Sequence, residues 1–533
     1  MKKGRPDMTR VFATACATTA AIVLGVAAGV NTVASGGSPA VLGAAQADAC
    51  SRLLDLSLPN TAVTGAEMVA AGKFTPPTGG RAPSAAQLRP YAELPAFCRV
   101  SATLTPSDDS DIKVEVWMPS EGWNGKYQAV GNGAFTGSIR HNSMATALAR
   151  GYASSSTDTG HVGNTASFGL GHPEKVIDFG YRSLHEMTVF AKQAIEAHYG
   201  DAPRYSYWNG CSAGGRQAMK AAQRFPEDFD GIIAGAPGLD WTGRAGGSLR
   251  VAKPLEADEA MQLPAEARQI VHEAVLAACD AADGVTDGVV GDPERCEFDP
   301  AILACEGNGG EGCLSAAQVS AVRMLYASPE NPKTGRPITG LLPGSELGWT
   351  DLGWTRSARA TGLEQFRYLT FADPEWTIDR FNFETDIVLA EERDNDTLNA
   401  LDPNLQPFFD RGGKLLSYHG WADPQISPAN ITQYYGRVVD TIGSRDDVHD
   451  SFRLFMAPGM GHCGGGAGPS RFDMLAALEQ WVEEGEAPDQ IIASRVRDGQ
   501  VDRTRPLCAY PEQAVYTGSG STDDAANFVC QAR

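Results

Sequence analysis

Apolar and polar residues alternate with a period of two along 97–104 and again along 112–118. In the first run Cys98, Val100, Ala102 and Leu104 fall on one face; in the second Ile112, Val114 and Val116 do so. Pro106-Ser107-Asp108-Asp109 lies between them, so the pair predicts a β-hairpin. Further strands are predicted at 126–130 (Lys-Tyr-Gln-Ala-Val), 151–155, the aromatic run 205–208, 231–237, 414–420 and 452–456. Helical spacing appears at 143–150 and at 183–199, where Leu184, Met187, Phe190, Ala194 and Ile195 recur. It returns at 216–225 (Met219, Ala222, Phe225) and at 471–483 (Phe472, Leu475, Leu478, Val482). Strand, helix, strand, turn, helix, strand is a βαβ rhythm. It predicts an α/β fold, a mostly parallel sheet flanked by helices.

The rhythm breaks at about Trp241. From there to Leu398 the helices 265–278 and 315–326 stand among long turn-rich stretches with few strand runs. Trp349, Trp354, Phe366, Tyr368, Phe371, Trp376, Phe381 and Phe383 crowd this region. It reads as an insertion, 241–398, folded over a sheet built from 48–240 and 399–533. No internal repeat or low-complexity tract interrupts it.

The N-terminus changes the picture of where this chain works. Lys2, Lys3, Arg5 and Arg10 precede an apolar run from Phe12 to Val30, and Ala45-Gln46-Ala47 offers small residues for cleavage. Residues 1–47 read as a secretory signal peptide. A retained anchor is the alternative, since the run is nearly long enough to span a bilayer; a lipid attachment at Cys50 is disfavoured by Asp48. Removing 1–47 takes four basic residues and one acidic one, and moves the formal charge from −21 to −24. That acidity excludes a nucleic-acid partner and suits a secreted, extracellular protein with no membrane contact after cleavage.

Ten cysteines remain beyond Cys16, an even number that suggests five disulfides in an oxidising compartment. Closeness in sequence favours Cys279–Cys296, Cys305–Cys313 and Cys508–Cys530. Cys50, Cys98, Cys211 and Cys463 are left to pair among themselves. Neither a CxxC pair nor a Cys/His cluster of zinc spacing occurs.

The chemistry gathers at Gly210-Cys211-Ser212-Ala213-Gly214-Gly215, a serine between glycines at a predicted strand-to-helix turn. This is the pattern of a nucleophile elbow, though glycine-rich turns of the same form are common. Asp423 follows the 414–420 strand, and His462 follows the 452–456 strand. Serine, aspartate, histidine is the chain order of α/β hydrolases, not of chymotrypsin or subtilisin. In such a set His462 takes the serine proton and Asp423 fixes the imidazole tautomer. The glycine-rich loop 131–135, directly after a strand, is where Gly133 would join Ala213 in offering oxyanion amides. Asp158 and His161 in Thr157-Asp158-Thr159-Gly160-His161 fit the triad order badly and read as hydrogen-bonded loop residues. Cys211 precedes Ser212 and Cys463 follows His462, so a bridge between them would clamp nucleophile to base.

Together the G-C-S-A-G-G, H-G-W-A-D-P and G-H-C-G-G segments resemble the tannase/feruloyl esterase family. The resemblance spans essentially the whole mature chain. It implies an α/β-hydrolase fold with a large lid inserted after the nucleophile half, a Ser212–Asp423–His462 triad, and a cysteine pair beside Ser212 and His462. It also implies that His419 contacts substrate. A structural calcium ion is implied in the lid, held by the carboxylates of Asp280, Asp283 and Asp287 and the carbonyls of Val285 and Val289. These are hard oxygen donors, without the spacing of an EF-hand.

The expected activity is that of a secreted serine esterase acting on small aromatic (phenolic) acid esters, alone or carried on a polysaccharide or polyester fragment. Tannase or mono(2-hydroxyethyl) terephthalate hydrolase activity is the alternative within the class. Outside it stand a non-catalytic calcium-stabilised binding protein, which the intact triad disfavours, and a peptidase, for which no peptide cleft is evident.

Overall fold

In the computed structural model, residues 48–78, 82–306 and 312–532 are described; the expected signal peptide lies outside them. Nine strands form the central sheet: β1 (Thr61–Val69), β2 (Phe97–Leu104), β3 (Ile112–Pro119), β4 (Lys126–Val130), β5 (Ala153–Thr157), β6 (Tyr205–Cys211), β7 (Gly231–Gly235), β8 (Lys414–Gly420) and β9 (Phe452–Ala457). Their order is β1-β2-β3-β5-β4-β6-β7-β8-β9. The pairs from β1 to β5 are antiparallel, and every pair from β5 through β4 to β9 is parallel. The expected hairpin is β2–β3, with Val100 opposite Val116 and Ala102 opposite Val114. All five residues of β7 are buried, as a central parallel strand covered on both faces requires.

The helices Ser183–Tyr199, Ala213–Arg224, Ala429–Ile442 and Met474–Glu484 belong to this frame. Met187, Phe190, Met219, Tyr434 and Val438 join Trp208, Ile232 and Leu415 in one apolar cluster. Leu475, Leu478 and Trp481 pack with Tyr207, Ile233 and Leu416 in another. The last helix starts at Met474, later than its periodicity suggests. Asp473 caps it, accepting from the Ala476 amide at 3.0 Å, while Arg471 is bridged to Ser494 in extended form.

Between β7 and β8 none of the described residues adds a strand to the sheet. This stretch has apolar clusters of its own, one around Val271, Val322, Leu325 and Trp354 and another around Leu249, Phe366, Trp376 and Ile387. A third, with Phe135, Phe179, Ala213, Trp241 and Leu398, ties it to the nucleophile region. Its helix Trp241–Ala257 was not evident from spacing, because Gly243, Gly246, Gly247 and Pro254 argue against one. Tertiary packing overrides that preference: a Cβ on Gly246 would sit 2.5 Å from the Ile387 side chain.

Among the described residues five disulfides are formed. Cys279–Cys296, Cys305–Cys313 and Cys508–Cys530 pair as closeness suggested, and the remaining four cysteines pair as Cys50–Cys98 and Cys211–Cys463.

Candidate active site

β6 carries the chain through the buried Trp208 to Cys211, and the Ala213–Arg224 helix begins one residue after Ser212. At that corner Ser212 has φ 65° and ψ −120°, a conformation that costs a non-glycine residue roughly 1–3 kcal/mol. The neighbours make the turn feasible. A Cβ on Gly210 would lie 2.5 Å from the Gly214 carbonyl oxygen, and one on Gly215 would lie 2.3 Å from that of Gly235. The Ser212 amide donates to the Gly235 carbonyl at 2.9 Å, and its hydroxyl is not used to cap the helix. The elbow is pinned by its backbone while the hydroxyl stays available.

β8 and β9 deliver the other two residues. After β8 the turn Gly420–Asp423 is locked to the loop after β9: Trp421 N–H donates to Ala457 O at 2.9 Å and Ala422 N–H to Met460 O at 3.0 Å. Asp423 is fully buried. Its Oδ2 accepts from His462 Nδ1 at 2.7 Å and from His419 Nε2 at 2.9 Å. Its Oδ1 accepts from the amides of Gln425 and Ile426 at 2.8 and 3.1 Å. Burial alone would raise this carboxyl. The facing charge of His462 and the hydrogen bonds from His419 and His462 outweigh burial and hold it well below the usual carboxylate range. An anionic Asp423 keeps the proton of His462 on Nδ1 and leaves Nε2 as its basic atom.

Cys211–Cys463 joins the elbow directly to the histidine loop, with Cα atoms 6.0 Å apart. Ser212 and His462 line one cavity of about 530 Å³ with Gly133, Ala134, Arg140 and Ser357. Among the described residues no hydrogen bond joins Ser212 to His462, a loose arrangement common in sites without substrate.

Gly133 lies on this cavity, where a Cβ would meet nothing within 4 Å, and Ala213 opens the nucleophile helix. The glycine-rich loop is held from beneath. Asn132 N–H donates to Gln217 Oε1 at 2.9 Å, Asn132 Nδ2 to Thr157 O at 2.9 Å, and His161 Nε2 to Phe135 O at 2.8 Å. Asp158 Oδ1 accepts from the amides of Lys113 and Gly160, each at 2.9 Å, and burial pushes its carboxyl up to about 7. His161 is thus committed to holding the glycine-rich loop, and Asp158 to fixing the turn at Gly160 against Lys113.

His419, expected to contact substrate, is not among the residues lining this cavity: it is fully buried behind Asp423, and Nε2 also contacts Ile426 O at 3.0 Å. Several cavity residues carried no signal in spacing, among them Arg140, Gln425 and Ser357, which reach it from separate elements. Arg367 does not line the cavity and donates to Trp376 O at 3.1 Å.

The acidic loop of the insertion has the donor chemistry of a hard-cation site. Asp280 Oδ1 and Oδ2 accept from the Asp287 and Gly288 amides at 3.0 and 2.9 Å, curling the loop back on itself. Burial pushes Asp283 up to about 6, with the charge of Asp287 adding to the effect, a repulsion that a divalent cation relieves. Arg503 and Arg505 contact Asp287 Oδ2 at 3.0 and 2.5 Å and supply positive charge there. Among the described residues no three acidic, histidine or cysteine side chains converge at metal distance.

Comparison with known proteins places this geometry. Residues 98–531 match the model of a family described as Tannase and feruloyl esterase. An uncharacterized esterase of Xanthomonas campestris pv. campestris is 39% identical over 542 residues, covering 90% of this chain and 91% of that protein. Feruloyl esterase B of Aspergillus niger is 33% identical over 453 residues, covering 81% and 86%. The crystal structure of feruloyl esterase B from Aspergillus oryzae superposes with a TM-score of 0.83 at 29% identity, covering 91% of this chain and all of that one. Tannin acyl hydrolase from Aspergillus niger, at 24% identity and TM-score 0.73 over 89% and 92%, shares the fold. With an α/β-hydrolase sheet, a serine elbow and an Asp–His pair at the ends of its strands, the chain belongs to the tannase and feruloyl esterase family of carboxylic ester hydrolases.

Proposed function

We propose that this protein is a secreted serine esterase that hydrolyses esters of phenolic and related aromatic acids through an acyl-enzyme. The observation that carries the reading is the Cys211–Cys463 bridge, which fastens Ser212 beside a histidine already oriented by Asp423 at 2.7 Å. Ser212 Oγ attacks the ester carbonyl as its proton passes to His462 Nε2. Asp423 stabilises the imidazolium through Nδ1–H. The amides of Ala213 and Gly133 stabilise the oxyanion. Collapse of the tetrahedral intermediate breaks the ester C–O bond, and His462 returns the proton to the departing alcohol. Water then attacks the acyl carbon from the place of the alcohol and gives a proton to His462, which passes it to Ser212 Oγ as the acyl C–O bond to the serine breaks and the acid leaves.

Five disulfides suit an oxidising compartment, and among the described residues no helix is long and apolar enough to cross a membrane. The disulfides support secretion. In the insertion, Asp280, Asp283 and Asp287 with the carbonyls of Val285 and Val289 would hold a structural calcium ion. Bound there, calcium would neutralise the carboxylate cluster and stiffen the loop.

A second reading has one observation in its favour. Exposed Arg140 lines the Ser212 cavity and would pair with a second carboxylate on the acyl group, as in a terephthalate monoester. Methyl ferulate, methyl gallate and mono(2-hydroxyethyl) terephthalate, assayed in parallel with Ser212→Ala as control, separate these substrates. Hydrolysis of one or more by wild type and of none by the variant is expected. Equal inactivity of both proteins on all three would refute the esterase reading.

A further inference from the structure

The two oxyanion amides belong to different segments. Ala213 opens the nucleophile helix, and Gly133 lies on the glycine-rich loop after β4. These segments are far apart in sequence, so contacts between them must set the spacing of the two donors.

One contact is steric. A Cβ on Gly131 would lie 2.6 Å from Gly214 Cα, and one on Gly214 would lie 3.0 Å from Asn132 O, so loop and helix meet backbone to backbone. Trp208 Nε1 donates to Gly214 O at 3.0 Å and backs this contact from β6.

The other runs through a single side chain. Gln217, on the helix that follows Ser212, is fully buried. Its Oε1 accepts from the Asn132 amide at 2.9 Å, and its Nε2 donates to Asn132 Oδ1 at 3.4 Å. A backbone N–H can face only an acceptor, which fixes the orientation of the Gln217 amide and through it that of Asn132. Asn132 Nδ2 is then turned to carbonyls, donating to Thr157 O at 2.9 Å and Ser138 O at 3.1 Å. The residue directly before Gly133 is therefore held through its backbone amide and both ends of its side chain. Nucleophile helix, glycine-rich loop and the end of β5 form one buried unit, and Gln217 is the link from the helix.

We propose that Gln217 is the positioning residue of the oxyanion site, an inference that rests on the esterase mechanism above. By holding Asn132 against the nucleophile helix, it keeps the Gly133 amide at the distance from the Ala213 amide that a tetrahedral oxyanion needs. Gln217 acts through the loop and touches no substrate. Its effect belongs to the transition state, where charge develops on the carbonyl oxygen, and not to binding of the ester.

The test is Gln217→Met, which keeps the length of the side chain and removes both hydrogen bonds. Gln223→Met is the control: from the same helix Gln223 Nε2 donates to Ala400 O and Asp402 O at 3.0 and 2.9 Å, away from the loop. Removing an oxyanion donor costs about 100- to 1,000-fold in kcat, and displacing one costs part of that. Gln217→Met should lower kcat about 10- to 100-fold with KM unchanged. It should weaken by a similar factor the inhibition by an arylboronic acid, which binds Ser212 as a tetrahedral adduct, while inhibition by the planar free aromatic acid is unaltered. Gln217→Glu keeps an oxygen for the Asn132 amide and should regain part of both losses. Gln223→Met should lower the thermal midpoint and leave kcat and boronic acid affinity as in wild type. Hydrogen exchange over residues 131–138 reads the anchoring without turnover, and should be faster in Gln217→Met than in wild type or the control. A Gln217→Met enzyme that matches the control in kcat and boronic acid affinity, a change confined to KM, or unaltered exchange in the loop overturns the proposal while the esterase reading stands. Wild type that neither hydrolyses aromatic esters nor binds the boronic acid refutes the esterase reading itself, and the oxyanion role with it.

Discussion

Replacing Cys211 and Cys463 together by serine removes the covalent link between nucleophile and base, and its two consequences can be sized separately. The bridge joins residues 252 apart in sequence. The chain-entropy model gives about 5 kcal/mol for a loop of this length, comparable with the whole net stability of an ordinary domain. The double variant should therefore unfold at a markedly lower denaturant midpoint under non-reducing conditions. The kinetic effect is smaller than full release of His462 would give, because two tethers survive: Asp423 Oδ2 to His462 Nδ1 at 2.7 Å, and Ala422 N–H to Met460 O at 3.0 Å. Slackening a catalytic pair by about 1 Å costs on the order of 100-fold, so a fall in kcat of about 10- to 100-fold with little change in KM is expected. Cys508→Ser with Cys530→Ser is the control. That bridge spans only 22 residues and touches neither Ser212 nor His462, so it should lower stability by about 3 kcal/mol and leave kcat intact. Chemical denaturation and steady-state hydrolysis of an activated ester read both quantities on the same preparations. A Cys211/Cys463 double variant with wild-type kcat, or one no worse than the control pair, would refute the clamp.

Three further outcomes follow from the same geometry. His419→Ala removes a buried donor from Asp423 and should lower kcat about 10- to 100-fold while KM is unchanged, with partial recovery in His419→Gln; a change confined to KM would return His419 to the substrate. Asp158 titrates near 7 in the fold and near 4 when unfolded, so below pH 4 it adds nothing, its unfavourable ionisation destabilises the fold progressively from pH 4 to 7, and the loss is complete above. The thermal midpoint of Asp158→Asn relative to wild type should therefore rise across that window, and parallel curves would contradict the sign. For the acidic loop, removing calcium with a chelator should lower the thermal midpoint and adding calcium back should restore it, with the response lost in Asp280→Ala; no response in wild type would exclude the ion.

Much of this site was legible because its residues sit at strand ends. A β-strand fixes where its last residue emerges, so Ser212 after β6, Asp423 after β8 and His462 after β9 converge once the sheet order is set. The pairing of the near cysteines followed from short separations. The glycine-rich helix Trp241–Ala257 was hidden, since its glycines act through contact with Ile387 and Ile338 from distant segments. β1 was hidden for another reason: Thr61–Val69 is an edge strand interrupted by a bulge near Gly65, and its apolar pattern is faint. The hairpin of Gln490–Arg497 and Gln500–Cys508 went unread: Asp498-Gly499 forms a two-residue turn in which both residues have positive φ, but charged side chains mask the alternation of its strands. His419 shows the limit of spacing arguments. Four residues before Asp423 at a strand end, it could serve substrate or carboxylate, and only burial separates the two.

The central claim is that Ser212 forms an ester with the acyl group. Incubating the protein with a slowly hydrolysed activated aromatic ester at low pH, then mapping peptides by mass spectrometry, tests it directly. One acyl adduct per chain, on Ser212 and lost in Ser212→Ala together with turnover, is the predicted result. Turnover that persists in Ser212→Ala, or an adduct on another residue, would contradict it.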